Sequence, residues 1–115
     1  MEEYTLLPRS KTVPKGAALC LRLDHDLMEP WLKKGALVYI SRGETPEEFQ
    51  PGLFYYQGRV LCRQWCEDSE GNLHLLCANP RRESENLMLS PAEKAACLCL
   101  GRVLTKKKLP KPVYC

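Results

Sequence analysis

Apolar side chains in this chain gather in short segments, separated by clusters of Gly, Pro, Asn, Asp and Ser, and no stretch sustains the period of a long amphipathic helix. The pattern predicts strands at 18–23, 36–41, 52–57, 59–66, 72–77 and 97–105, with a weaker one at 86–89. Proline is tolerated in the first turn of a helix, so Pro30-Trp31-Leu32 predicts a short helical turn. Gln57-Gly58 is suited to reversing one strand into the next. The polar link 67–72 carries Gly71, the residue a hairpin often needs. Together these predict an antiparallel meander over 52–77 in a mainly β domain.

The stretch 42–51 holds Pro46, Pro51, Gly43 and three glutamates, and predicts an exposed loop. Residues 1–17, with Pro8, Pro14 and Gly16, read as an N-terminal arm or linker, 18–105 as the domain, and 106–115 as a basic C-terminal tail. A chain of 115 residues, 44% apolar and 27% charged, is the size of one globular domain. No apolar run approaches the ~20 residues that span a bilayer, and Met1-Glu2-Glu3 is acidic where a signal peptide is basic. A cytoplasmic protein with no membrane partner is expected. The formal charge of +3 is unevenly spread: residues 101–115 hold five cations and no acid, which leaves residues 1–100 at −2. The basic run Lys106-Lys107-Lys108 is of the kind that touches nucleic-acid phosphates, but is read here as a solvated extension.

Seven cysteines are an odd number, and Cys20, Cys62, Cys77, Cys97 and Cys99 lie inside apolar runs, so they read as small buried hydrophobes rather than a disulfide framework. Cys62 with Cys66 and Cys97 with Cys99 lack the paired C-x2-C knuckles that make zinc motifs specific. No metal and no cofactor is expected.

Asp26-Leu27-Met28-Glu29-Pro30, followed by Gly35-Ala36-Leu37-Val38-Tyr39-Ile40, resembles the G-D-S-M-E-P…G-D-x-V-x-V signature of the LexA, phage-repressor and signal-peptidase superfamily. The order of the later segments carries the resemblance from about Leu19 to Leu104. Pro51-Gly52-Leu53-Phe54-Tyr55-Tyr56 is similar to x-G-D-I-V-V, and 58–65 to G-x-x-x-V-K-R-L. Residues 73–80, ending in Asn79-Pro80, are similar to L-x-L-x-S-x-N-P, and Leu100-Gly101-Arg102-Val103 to the closing x-G-x-V. The implied fold is the complex β fold of that peptidase domain.

Active relatives use a serine and a neutral, desolvated lysine. The alignment puts Leu27 at the serine and Arg63 at the lysine, because that register keeps Leu61 and Trp65 on one face; a shift of one residue puts Cys62 there instead. Leucine has no nucleophilic atom, and losing such a nucleophile costs on the order of a millionfold in turnover. A guanidinium stays protonated and is no base. The Ala-Gly or Cys-Gly dipeptide that self-cleaving relatives cut is also missing, Lys15-Gly16 standing near its place. A replacement thiol site from His25, Asp26 and Cys20 or Cys62 would need strand neighbours to share a face.

The resemblance therefore implies a non-catalytic domain acting in dimerisation and regulation of a transcriptional repressor. Asp26 is expected to bond turn amides and Leu27 to fill the former cleft. The expected partner is a second copy, with Leu98, Leu100, Val103 and Leu104 as interface residues. DNA would be reached only through a helix-turn-helix unit absent from this sequence. The alternatives are an accessory protein similar to the small subunit of the error-prone polymerase, or a divergent signal-peptidase-like or thiol hydrolase.

Overall fold

In the computed structural model, which describes residues 4–6 and 16–115, the short apolar segments beyond residue 16 become strands because each can bury at least one side chain of a face. The strands are β1 (Tyr4–Leu6), β2 (Leu19–Leu23), β3 (Leu37–Arg42), β4 (Pro51–Tyr56), β5 (Arg59–Glu67), β6 (Leu73–Leu76), β7 (Leu87–Leu89) and β8 (Leu98–Leu104). Among the described residues they form one antiparallel sheet in the order β1-β2-β3-β8-β4-β5-β6-β7. The last strand of the chain thus lies in the middle, joining β3 to β4. The fold is mainly β, and the strand from 4 to 6 lies in the segment read from sequence as an arm. The rest of that arm up to residue 15 lies outside the described residues.

The sheet buries both faces along part of its width. Leu21, Leu23, Val38, Ile40, Leu53, Cys62 and Val103 meet Met28, Ala78 and Leu109 in one core. Phe54, Tyr56, Leu61, Leu73, Leu75 and Leu89 form a second. Neighbours such as Leu53 and Phe54 therefore serve opposite cores. This is why β4 reads as a continuous apolar run rather than an alternation.

The meander forms as expected. Gln57 (φ 50°) and Gly58 (φ 77°) both adopt the left-handed region, the requirement of a two-residue type I′ hairpin. In the next link the Asp68 carboxylate accepts from the amides of Glu70 (2.9 Å) and Asn72 (3.0 Å), from Asn72 Nδ2 (3.0 Å), and meets His74 Nε2 at 2.8 Å. Contact with His74, then with Asn72, holds that carboxyl well below the usual carboxylate range.

Two expectations are corrected. Pro30-Trp31-Leu32 forms a hydrogen-bonded turn on the Met28 carbonyl and no helix. Helical structure occurs instead as a 3-10 turn at Pro80–Glu85 and a four-residue helix, α1 (Pro91–Lys94), capped by Ser90 and Glu93. The chain end is not a solvated tail either: Leu109 is 4% exposed within the first core. The Tyr114 hydroxyl donates to the Cys77 carbonyl and lies 3.3 Å from Asn86 Oδ1. Leu109 and Tyr114, with buried Pro112 and the Gln64 bond to Pro110 O, dock the segment.

Candidate functional site

The turn between β2 and β3 carries Asp26-Leu27-Met28-Glu29-Pro30, the segment on which the resemblance rests. The hairpin is closed by Leu23 N–H to Ala36 O (3.0 Å) and Gly35 N–H to Leu23 O (2.8 Å). Inside it, Met28 O accepts from the amides of Trp31 (3.1 Å) and Leu32 (2.9 Å). His25 Nδ1 accepts the Leu27 N–H at 3.1 Å, so His25 braces the turn from within.

Asn79, which follows β6, clasps this turn from outside. Its backbone N–H donates to Leu27 O (3.0 Å), its Nδ2 to Asp26 O (2.8 Å), while its Oδ1 accepts from Arg81 N–H (3.0 Å). Arg82 then grips the Asp26 carboxylate through Nε (3.0 Å) and NH2 (3.1 Å). That guanidinium lowers the Asp26 carboxyl below its ordinary value. The Asp26 side chain therefore engages Arg82 above all, its own backbone amide, a turn amide as expected from sequence, contributing less. In the sequence Asn79-Pro80 is only a motif match with no role of its own. The signal for the clasp was present, since an Asn before Pro is a natural cap, but its target is about fifty residues away in sequence.

Leu27 and Arg63 are not brought together. On β5, Cys62 opposes Leu53 and lies in the first core with Met28, whereas Leu61 opposes Phe54 and lies in the second. Alternation puts Arg63 with Leu61, on the face turned away from Met28. Arg63 is buried, and its NH1 donates to the Cys62 carbonyl at 2.9 Å. The position facing the motif turn is therefore Cys62, which the one-residue shift in register identifies. Leu27 itself is only half-buried, and the side chain that fills the core from this turn is Met28. Of the thiols considered for a replacement site, Cys20 alternates with Leu21 and Leu23 and faces away from the core that holds Cys62.

Beside the turn is a cavity of about 210 Å³, walled by Pro30, Trp31, Ala78, Pro110 and Pro112 with Gln64 at its side. The docked chain end thus forms one wall. Gln64 is fully buried and its Nε2 donates to Phe49 O (2.8 Å) and Pro110 O (3.0 Å), fixing that wall to β5. Among the described lining residues there is no hydroxyl, thiol or carboxyl; Lys111 is the one ionisable group.

The four residues expected at an interface separate. Val103 is a core residue, 4% exposed. Leu104, its half-buried neighbour on β8, lines a groove of about 480 Å³ together with Val103, Leu32 and Leu37. Leu100 packs partly against the first core. Leu98 is 57% exposed and pairs across strands with Tyr55, itself 45% exposed, a contact that sequence reading did not identify.

All seven cysteines are free. Burial pushes the thiols of Cys66, Cys97 and Cys99 up, which lowers their thiolate fraction. No group of three or more His, Cys, Asp or Glu suited to a metal ion occurs among the described residues. No described helix is long and apolar enough to cross a membrane. No protein-family model matches the chain, and neither does any curated protein.

Proposed function

We propose that this domain is a non-catalytic relative of the LexA and phage-repressor C-terminal domain, acting by pairing two copies within a transcriptional regulator. The observation that carries the reading is the chemistry of the motif turn. Leu27 stands where the relatives attack, and the β5 residue on the facing side is Cys62, not an amine. The turn is instead tied down by His25, Asn79 and Arg82, contacts that serve shape rather than reaction.

The surface that fits the pairing role is the exposed cross-strand pair Tyr55–Leu98, continued by Leu100. It lies on β8 and β4, the two strands in the middle of the sheet. Tyr55 supplies the large aromatic side chain in which interface anchors are enriched.

Sedimentation of the purified chain tests this reading. A dimer at micromolar concentration is expected, and Leu98→Asp should yield a folded monomer because the residue is exposed. A wild-type chain that stays strictly monomeric at high concentration would overturn the proposal. So would stoichiometric labelling by a serine-directed hydrolase probe.

A further inference from the structure

The basic run near the chain end is held at both sides. Leu109 N–H donates to Gln50 Oε1 and Gln50 Nε2 donates to Leu109 O, each at 2.9 Å, with the leucine side chain in the core. On the other side, where the chain leaves β8, the Thr105 hydroxyl donates to Lys107 O (3.2 Å) and accepts from Lys107 N–H (3.4 Å). Lys106, Lys107 and Lys108 therefore sit on a short strap pinned between β8 and the core. Part of the ordering entropy that a loose tail would lose on binding is already spent.

The charges on this strap are unequally compensated. Glu44 pairs with Arg102, and Glu47 with Lys108 at 3.0 Å. Lys106, Lys107 and Lys111 make no ion pair among the described residues, and Lys111 Nζ lies 5.5 Å from the centroid of the Phe49 ring. Arg102 and Lys106 to Lys108 wall a cavity of about 470 Å³ together with Thr45 and Gln50. Arg102 and Lys106 also wall the neighbouring groove of about 480 Å³. All four cations thus rim the first hollow, and Arg102 with Lys106 forms the ridge that separates it from the second.

We propose that this basic rim binds the phosphodiester backbone of a nucleic acid. A row of separate lysines suits repeated phosphates, whereas one phosphate would engage only a part of it. Lysines act as point charges on phosphate, so the contact would carry little sequence information of its own. This goes beyond the pairing role, in which DNA is reached through another unit. It stands or falls independently of that role, because the rim belongs to one protomer.

Fluorescence anisotropy with a short labelled DNA duplex tests the proposal on the intact chain. The two uncompensated lysines of the rim, Lys106 and Lys107, predict a slope of log Kobs against log salt of about −1.8, hence about a 12-fold loss of affinity between 50 and 200 mM salt. Lys106→Gln with Lys107→Gln should bring the slope close to zero. The same charge change at exposed Lys33 and Lys34, on the β2–β3 turn, should leave affinity and slope unaltered. Equal losses in the two double variants would reduce the effect to net charge and overturn the proposal. So would displacement of the duplex by inorganic phosphate at matched phosphate concentration, which marks a single-anion site, or a lack of binding at low salt.

Discussion

Gly101→Ala is a severe test of how the sheet is joined. Gly101 on β8 opposes Arg42 on β3, and β8 is the strand that connects the β1-β2-β3 group to β4 and beyond. A Cβ at this position would lie 2.0 Å from the Ser41 carbonyl oxygen and 2.7 Å from Ile40 Cγ2. The first of these is backbone and cannot rotate aside. Ordinary contact begins at 3.4 Å, so the strands would have to part by about 1.4 Å. Overpacking of this kind costs about 1–3 kcal/mol. Separating the Gly101 end of the ladder gives up roughly two backbone hydrogen bonds at about 1 kcal/mol each. The expected loss is about 3–5 kcal/mol, against a total of roughly 5–15 kcal/mol for a domain. With a urea m-value of roughly 1–3 kcal/mol per molar, the midpoint should fall by about 2 M. Gly43→Ala is the control, since its Cβ meets open space and the residue bears only its left-handed φ of 76°. That conformation costs about 1–2 kcal/mol. If the Gly101 variant unfolds at the same urea concentration as the Gly43 variant, the close approach of β3 and β8 is not what the structure describes.

Leu109→Ala should destabilise the chain by about 2–5 kcal/mol in urea unfolding, the cost of emptying a buried leucine site, whereas a solvated tail would show no change. Mass spectrometry after a brief iodoacetamide pulse should find Cys115 modified first, since it is the exposed thiol, with Cys20, Cys62 and Cys77 protected until unfolding. Fast labelling of Cys62 would contradict its place in the core. Acid should destabilise the fold. Asp68, Asp26, Glu44, Glu47 and Glu93 are all held below their ordinary values, by His74, Arg82, Arg102, Lys108 and the Ser90 amide respectively. A carboxyl depressed in the fold contributes stability above its unfolded value near 4, and loses it as the pH falls through its folded value. The thermal midpoint should be flat from neutral pH to about 5, drop below about 4, and drop less in Asp68→Asn; a midpoint that rises on acidification would refute these ion pairs.

Strand positions were legible because each rests on local alternation and on turns such as Gln57-Gly58. The observed strands from β2 to β8 lie within about one residue of the expected ones at nearly every end. What local pattern does not encode is which distant segments meet. Placement of β8 between β3 and β4 depends on Gly52 and Gly101 permitting close approach, and neither glycine distinguishes itself in sequence from a turn residue. Docking of 109–114 rests on Leu109 and Tyr114 finding Gln50 and Asn86 across the molecule. The pair Tyr55–Leu98 is another contact between segments far apart in the chain.

The face of β5 on which Arg63 lies has the same physical origin and yields a decisive experiment. Sequence grouped Leu61, Arg63 and Trp65 on one face correctly, and Trp65 does pack against the core that holds Leu61. Which face meets the motif turn was not readable, because β5 is buried on both sides and its apolar pattern favours neither. If the turn at Leu27 occupies the old attack position, an amine should reach it from Cys62 and not from Arg63. Leu27→Ser combined with Cys62→Lys would place a hydroxyl and a desolvated amine on the same side of β5, the environment that lowers a lysine pKa. This double variant should gain labelling by a fluorophosphonate probe. Leu27→Ser combined with Arg63→Lys should not, since its amine would lie across the sheet. Circular dichroism must first show that each variant keeps the β spectrum, because a lysine at a core position carries a desolvation cost. Labelling of the Arg63→Lys combination alone would mean that the faces of β5 are assigned the wrong way round.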